Sequence, residues 1–141
     1  MSLKEDIENH LNEKIKKLNL VNLEDGLEAF INMKNMDLAI KKIKSHIKKK
    51  SKIRVVGDYD TDGIMASTIM ISFFKDPPEL KNVEIDYFIP DRMIHGYGVS
   101  PLIVEEAHRD NINLIITVDN GISANSAIDK ANELGIDVII T

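Results

Sequence analysis

The sequence predicts an α/β fold, a mostly parallel sheet flanked by helices and preceded by an N-terminal helical segment. Two observations carry this prediction. After residue 52, short apolar runs rich in β-branched residues alternate with amphipathic stretches of helix length. The apolar runs also lack polar alternation, which is typical of parallel strands that are buried on both faces. We expect a helical segment over residues 1–50 and an α/β domain over 51–141.

The N-terminal segment has a helical pattern of apolar residues. A thin apolar stripe predicts a helix over residues 3–18, and shorter helical pieces follow it. A second stripe predicts a helix over about 36–49, with lysines on its other faces. The second stripe consists of Met36, Ile40, Ile43 and Ile47.

Four strands and three helices are predicted after residue 52. The strands are expected at roughly 52–57, 83–89, 113–118 and 136–141, with a helix in each interval. Ser100 followed by Pro101 is an N-cap and first-turn pattern. Ser123 is the candidate N-cap of the last helix, and Gly135 is its candidate C-cap.

Composition excludes several classes of protein. The chain has no cysteine, so it has no disulfides and no thiolate metal site. No apolar run approaches the ~18 residues of a membrane span, and the N-terminus lacks an apolar signal core. We therefore expect a cytoplasmic protein that does not contact a membrane.

The net charge of −5 is unevenly distributed. Residues 34–54 contain nine of the 18 Lys and Arg residues and only one acid, Asp37. A basic stretch beside an acidic site suits an anionic substrate, with Lys41, Lys44 and Lys48 as candidate phosphate contacts. A solvated helix face accounts for the lysines equally well.

Three aspartates follow the first predicted strand at alternate positions, in the stretch "VVGDYDTDG". Asp58, Asp60 and Asp62 repel one another unless a cation lies between them. An EF-hand loop is excluded because its twelfth position, which requires a glutamate, is Ile69. A phosphatase-type aspartyl nucleophile and a cluster of hard divalent cations for phosphodiester hydrolysis both stay open.

A second acidic loop favours the metal cluster. Asp119 ends another apolar strand, and the carboxyl ends of neighbouring parallel strands share one crevice. The Asn-Gly pair after it is equally typical of a plain tight turn. Between the two acidic loops, "IPDRMIHGYGVS" offers Arg92 as a phosphate contact, His95 as a metal or substrate contact and Tyr97 as a stacking residue.

Together, "GDYDTDG", "IPDRMIHGYGVS" and "ITVDNGIS" resemble the DHH phosphoesterase superfamily, and most closely its RecJ-type single-strand-specific exonucleases. The resemblance covers roughly Met36 to Thr141. It implies a Mn²⁺- or Mg²⁺-dependent 5′→3′ exonuclease with two metals, acting on single-stranded DNA in repair and recombination. It makes Asp60, Asp62 and Asp119 metal ligands and assigns Asp58 to the catalytic site. Some members of the family have a histidine where this chain has Val56.

The resemblance also implies that part of the site lies beyond this chain. The family's Asp-His-His motif is expected directly after Thr141, so we expect an N-terminal fragment without nuclease activity of its own. Two other functions stay open: a family relative that cuts short oligonucleotides, cyclic dinucleotides or pyrophosphate, and a non-catalytic, metal-dependent binding module.

Overall fold

The computed structural model describes residues 33–80 and 82–141. The predicted helix at 3–18 and the pieces after it lie outside the described residues. The chain divides into two units between Leu38 and Ala39, and the architecture below belongs to the second unit. The predicted domain boundary at residue 50 stays a prediction.

The predicted alternation of helices and strands is confirmed. The helices are α1 (Met36–Lys49), α2 (Thr61–Lys75), α3 (Pro101–Arg109) and α4 (Asn125–Glu133), with a short 3₁₀ turn at Pro78–Leu80. The strands are β1 (Ile53–Val56), β2 (Ile85–Phe88), β3 (Leu114–Thr117) and β4 (Asp137–Ile140). Each strand is shorter than its predicted range by one or two residues at both ends.

The four strands form one parallel sheet in the order β2-β1-β3-β4. Its register is even across the sheet, because Val56 pairs with both Phe88 and Thr117, and Thr117 pairs with Ile140. The four carboxyl ends therefore form one row. The loops that follow the strands leave the sheet at the same edge.

Helices cover both faces of the sheet. On one face, Val56 and Ile115 pack with buried residues of α3 and α4, including Ile103 and Ala127. On the other face, Ile53 and Leu114 belong to a cluster with residues of α1 and α2, which are Ala39, Ile43, Ile47, Ala66, Met70 and Phe74. Burial on both faces explains why β1 and β3 have no polar alternation.

The predicted stripe of α1 is partly wrong. Ile43 and Ile47 pack on the sheet, but Ile40 is 41% exposed and Ala39 takes the inward position. Ile40 and Ala39 are adjacent and about 100° apart on the helix, so either one extends the stripe toward the N-terminus. The helix is also bound at the far edge of the sheet, where Lys42 and His46 contact the carboxylate of Asp137.

The helix ends match the sequence prediction unevenly. Ser100 is the N-cap of α3 and Pro101 follows it, but the Ser100 side chain makes no capping hydrogen bond. The N-cap of α4 is Ala124, so the prediction of Ser123 was wrong. The reason is a turn that comes first, closed by the Ala124 N–H, which donates to the Gly121 carbonyl at 3.0 Å.

The C-cap of α4 is Leu134, one residue before the predicted Gly135, and Gly135 takes the position directly after it. Gly135 has φ +71°, and the Ile136 N–H donates to the Ala131 carbonyl at 2.9 Å. This is a Schellman motif with glycine in its left-handed position.

One face of α2 is apolar and exposed. Ile64, Met65, Ile69 and Phe73 are each about half exposed or more, although the opposite face of α2 packs on the sheet. A groove of about 330 Å³ separates this helix from Tyr87 on the edge strand β2. The helix is apolar around its circumference, a pattern typical of helices covered on both sides.

Candidate metal centre

The two acidic loops emerge side by side at the carboxyl edge of the sheet. Val56 in β1 pairs directly with Thr117 in β3. Asp58 lies two residues beyond Val56, and Asp119 lies two residues beyond Thr117. The Val118 N–H donates to the Val56 carbonyl at 3.0 Å, which extends the pairing of the strands into the loops. Both loops therefore leave the sheet at its carboxyl end, and the convergence of their carboxylates on one metal site stays a prediction.

The first loop runs directly into the N-terminus of α2. Asp60 is the N-cap residue, and its side chain accepts a hydrogen bond from the Gly63 N–H at 2.9 Å. Asp62 lies in the first turn. The N-terminus of a helix carries a partial positive charge, which offsets some of the repulsion between these carboxylates.

Gly63 permits this close approach of helix and strand. A Cβ atom on Gly63 would lie 2.6 to 2.7 Å from the backbone N, O and Cα atoms of Asp58. No other residue fits there without moving the backbone. The glycine after the three aspartates therefore holds α2 against the end of β1.

Asp58 differs from the other aspartates because it is buried, with 2% of its surface exposed. Its carboxylate accepts a hydrogen bond from the Tyr59 N–H at 2.7 Å. A carboxylate in this position is poorly placed to attack phosphorus. This geometry disfavours Asp58 as the nucleophile of a phosphatase-type mechanism.

Asp119 lies near all three of these carboxylates. Its backbone has φ +59°, in the left-handed region that few non-glycine residues adopt. Partial desolvation, and then the negative charges of Asp60, Asp62 and Asp58, raise the pKa of its carboxyl group. Mutual repulsion of this kind indicates a site that a cation would neutralise.

Tyr97 also faces the carboxylates. The charge of Asp58, followed by desolvation and by the charges of Asp119 and Asp60, raises the pKa of the Tyr97 phenol. The ring itself is 67% exposed, between Gly96 and Gly98, which both have positive φ. The phenol is thus protonated at neutral pH and open to solvent beside the acidic loops.

Arg92 reaches the same edge of the sheet. Its guanidinium lies 5.6 Å from the centre of the Tyr59 ring. Tyr59 lies between Asp58 and Asp60 in the sequence. Among residues 33–80 and 82–141, no carboxylate lies within ion-pair distance of Arg92. A cation that is not paired and lies near the acidic loops is well placed to meet a phosphate.

His95 has a different environment. Its Nδ1 accepts a hydrogen bond from the Asp91 N–H at 3.0 Å, and its Nε2 lies 3.7 Å from Glu106. The ring packs edge-on against Phe88. These contacts give His95 a role in holding its own loop, and its predicted contact with metal or substrate stays a prediction.

The C-terminal turns of α1 lie away from the acidic loops. His46 contacts Asp137 at the amino end of β4, the opposite edge of the sheet from the aspartates. Lys41, Lys44 and Lys48 lie on the same helix. Arg54 belongs to the basic stretch in the sequence, but it is only 6% exposed and donates hydrogen bonds to the carboxylates of Asp86 and Asp110. Arg54 and the C-terminal turns of α1 therefore do not contribute to a basic surface beside the acidic loops, and the placement of Lys41 and Lys44 beside them stays a prediction.

Val56 is a core residue. It is fully buried, packs with the cluster that faces α3 and α4, and offers no ligand where some family members have histidine.

Within the part of the chain that the structure describes, no three His, Asp or Glu side chains are close enough to hold a metal ion. In that same part, no helix is long and apolar enough to cross a membrane.

Sequence reasoning missed the role of Asn120. Its buried side chain bonds to the ends of β1 and β3 and to the loop after Tyr97. The Asn-Gly pair is a frequent turn sequence, which concealed this role. The signal available in the sequence was an amide that directly follows a predicted ligand at a strand end.

Comparisons with known proteins agree with this geometry. A model of the DHH family N-terminal domain matches residues 52–141. The chain belongs to the DHH family. The match begins one residue before β1 and includes both acidic loops, so the family assignment rests on the part of the chain that carries the candidate site residues from Asp58 onward.

The similar DHH proteins include several exonucleases named RecJ. The single-stranded-DNA-specific exonuclease RecJ of Escherichia coli strain K12 is 34% identical over 116 residues, which is 82% of this chain and 20% of that protein. RecJ of Bacillus subtilis strain 168 is 38% identical over 109 residues, 77% of this chain and 13% of that protein. The chain thus spans a fifth or less of these relatives.

A solved structure of this group contains metal. The crystal structure of exonuclease RecJ bound to manganese matches with a TM-score of 0.66 and 31% identity, over 77% of this chain and 27% of that one. RecJ of Thermus thermophilus in complex with Mn²⁺ matches with a TM-score of 0.61 and 24% identity, over 77% of this chain and 14% of that one, which supports the fold alone.

Proposed function

We propose that this chain forms part of the metal centre of a single-stranded-DNA-specific exonuclease that hydrolyses phosphodiester bonds. The observation that carries the proposal is the register of β1 and β3. With this register the Asp58–Asp62 loop and Asp119 follow neighbouring strands at the same end of the sheet, and desolvation, followed by the charges of Asp60, Asp62 and Asp58, raises the pKa of Asp119. The RecJ names and the manganese-bound relative support this assignment.

The chemistry of the donor set fits a hard divalent cation, although in the described residues no three of these side chains stand close enough together to hold one. Asp60, Asp62 and Asp119 offer exposed carboxylates, which are the ligands that Mn²⁺ and Mg²⁺ prefer in proteins. When bound, such a cation lowers the pKa of a coordinated water and neutralises charge on the phosphate. We propose two cations, either Mn²⁺ or Mg²⁺, with these three aspartates as ligands supplied by this chain.

The other candidate site residues at this end of the sheet bind the substrate or hold the loops that surround the aspartates. Asp58, held by the Tyr59 N–H, supplies buried negative charge behind the exposed carboxylates. Arg92 pairs with a substrate phosphate, and Tyr97 offers its exposed ring to a base and its phenolic proton to an oxygen. We keep His95 in this set as a residue that holds the Arg92–Tyr97 loop in place.

The lysines of α1 contribute affinity for the phosphate backbone of the DNA. Lys41, Lys44 and Lys48 are exposed, and contacts between lysine and phosphate do not depend on sequence. We propose that they bind the DNA strand beyond the scissile bond. Binding that depends on them should weaken steeply with salt.

The further ligands that the family implies would come from a longer chain. Thr141 donates through both its backbone N–H and its hydroxyl to the Thr117 carbonyl, at 3.2 and 2.9 Å. The carboxyl end of β4 therefore adjoins the strand that carries Asp119. We propose that an Asp-His-His motif after β4 completes the site, and that the parent protein works in the cytoplasm in DNA repair and recombination.

A nuclease assay tests the proposed function. The full-length protein should release mononucleotides from 5′-labelled single-stranded DNA with Mn²⁺, and both chelation and Asp62→Ala should abolish this activity. The 141-residue chain alone should release none, because it spans only a fifth or less of its RecJ relatives. Asp129→Ala, an acid on α4, is the matched control and should stay active. Full activity of Asp62→Ala would contradict the proposal.

A further inference from the structure

Asn120 joins three backbone segments through one side chain. Its amide Nδ2 donates to the Val56 carbonyl at 3.0 Å and to the Val118 carbonyl at 2.9 Å. Its Oδ1 accepts from the Val99 N–H at 3.2 Å. The residue is only 8% exposed, so each of these bonds is shielded from water.

Each of the three segments leads into a part of the site. Val56 is two residues before Asp58, and Val118 directly precedes Asp119. Val99 follows Tyr97 and Gly98, and a Cβ on Gly98 would lie 3.3 Å from the Asn120 Cβ. The side chain of Asn120 is therefore packed between both acidic loops and the Tyr97 loop.

The turn around Asn120 is held in an unfavourable conformation. Asp119 has φ +59°, in the left-handed region that residues with a Cβ rarely adopt. The Thr117 hydroxyl donates to the Asn120 carbonyl at 2.9 Å, and Gly121, with φ +102°, lets that contact form. The three side-chain bonds of Asn120 offset the cost and fix the direction of the Asp119 backbone.

We propose that Asn120 is a positioning residue that holds Asp119 and Tyr97 in one arrangement against the first aspartate loop. It contacts neither metal nor substrate. Its effect on metal binding rests on the proposed function, but its effect on the arrangement of the loops does not. Residues that orient metal ligands typically change metal affinity by about 10- to 100-fold when they are replaced.

The test uses the 141-residue chain with Asn120→Ala, and Asn113→Ala as control. Asn113 precedes the same strand at the opposite edge of the sheet, where its side chain accepts from the Lys52 N–H. Amide chemical shifts of the metal-free chain report the loops, Mn²⁺ titration reports metal affinity, and urea unfolding reports stability.

We expect Asn120→Ala to shift the amide resonances of Gly98, Val99 and Asp119 together, and to weaken Mn²⁺ binding about tenfold or more. Asn113→Ala should change neither. If Asn120→Ala does not fold, Asn120→Asp replaces it, because it keeps an acceptor for Val99 and loses both donors. In Asn120→Asp, the Val99 amide resonance should move less from its position in the parent chain than the Asp119 amide resonance does.

Unchanged loop resonances with Mn²⁺ affinity equal to that of the parent chain would overturn the proposal. So would equal effects of the two alanine variants on the loops. If the 141-residue chain binds no Mn²⁺ at the aspartates, the titration is repeated on the full-length protein, and absence of binding there would contradict the proposed function. The metal-free shifts then still decide whether Asn120 couples the two loops.

Discussion

Replacing Gly63 with alanine is a sharp test of how the first acidic loop is built. The added Cβ would lie 2.6 Å from the backbone N and O of Asp58 and 2.7 Å from its Cα. All three atoms belong to the backbone at the end of β1, so no side chain is available to turn aside. The N-terminus of α2 must move away from the strand, and Asp60 and Asp62 move with it.

The magnitude follows from two opposing terms. Alanine favours a helix over glycine by about 1 kcal/mol, which on its own would stabilise the protein. Overpacking against backbone costs typically about 1–3 kcal/mol, and three contacts this short belong at or above the upper end of that range. We expect a net loss of about 2 kcal/mol in the free energy of unfolding, or about 8 °C or more in Tm for a unit of this size.

The assay compares urea unfolding and Mn²⁺ titration for Gly63→Ala and Gly135→Ala. Gly135 has φ +71° with no atom within 4 Å of its Cβ position, so its replacement costs about 1 kcal/mol through the backbone alone. Only Gly63→Ala should weaken Mn²⁺ binding. A Gly63→Ala chain as stable as the parent, with normal Mn²⁺ affinity, would refute the close approach of α2 and β1.

Three further predictions concern charge and backbone conformation. Asp119→Asn should raise Tm at pH 7 and weaken Mn²⁺ binding, because an ionised group whose pKa is raised in the folded state destabilises it; a lower Tm in thermal unfolding would count against the repulsion. Asp137→Asn should remove stability near neutral pH and flatten its pH dependence in urea unfolding. The hydrogen bond from Lys42, and then that from His46, lower the pKa of Asp137 against the effect of its burial. The stability that the Asp137 carboxylate contributes is therefore present above about pH 4 and is lost as the pH falls through the lowered pKa. Parallel pH profiles of stability for the parent chain and Asp137→Asn would contradict this prediction. Lys50→Gly should stabilise by about 0.5 kcal/mol, because Lys50 has φ +55° after α1, whereas Lys44→Gly inside the helix should cost about 1 kcal/mol; a loss for both variants would contradict the left-handed cap.

The order and type of the elements after residue 52 were predictable because local signals agree with the fold. Buried parallel strands lack polar residues, and Pro101 and Gly135 mark helix ends by backbone geometry that other residues do not share. The aspartates at the strand ends were predictable for the same reason, since the edge that they share follows from strand direction alone. Boundaries were less exact: Ala39 and Ile40 are adjacent apolar residues, and only packing decides which one faces the sheet.

Features set by distant partners were not predictable. Arg54 has the sequence context of an exposed basic residue, but it is buried against Asp86 and Asp110, which are 32 and 56 residues away. His46 binds Asp137 across 91 residues, which fixes the C-terminal turns of α1 at the amino end of β4. Asn120 bonds to the Val56 carbonyl 64 residues away. No local pattern encodes such pairings, because they depend on which strands become neighbours.

The measurement that tests the central claim most directly is a Mn²⁺ titration of the ¹⁵N-labelled chain, followed by NMR. Paramagnetic Mn²⁺ broadens amides near its site even when it binds weakly. Resonances of Asp60–Gly63 and Asp119–Gly121 should broaden together at substoichiometric Mn²⁺, and Asp119→Asn should reduce the broadening in both loops. Broadening of one loop alone, or broadening centred on other acids such as Glu105 and Glu133, would contradict a metal centre shared by the two loops.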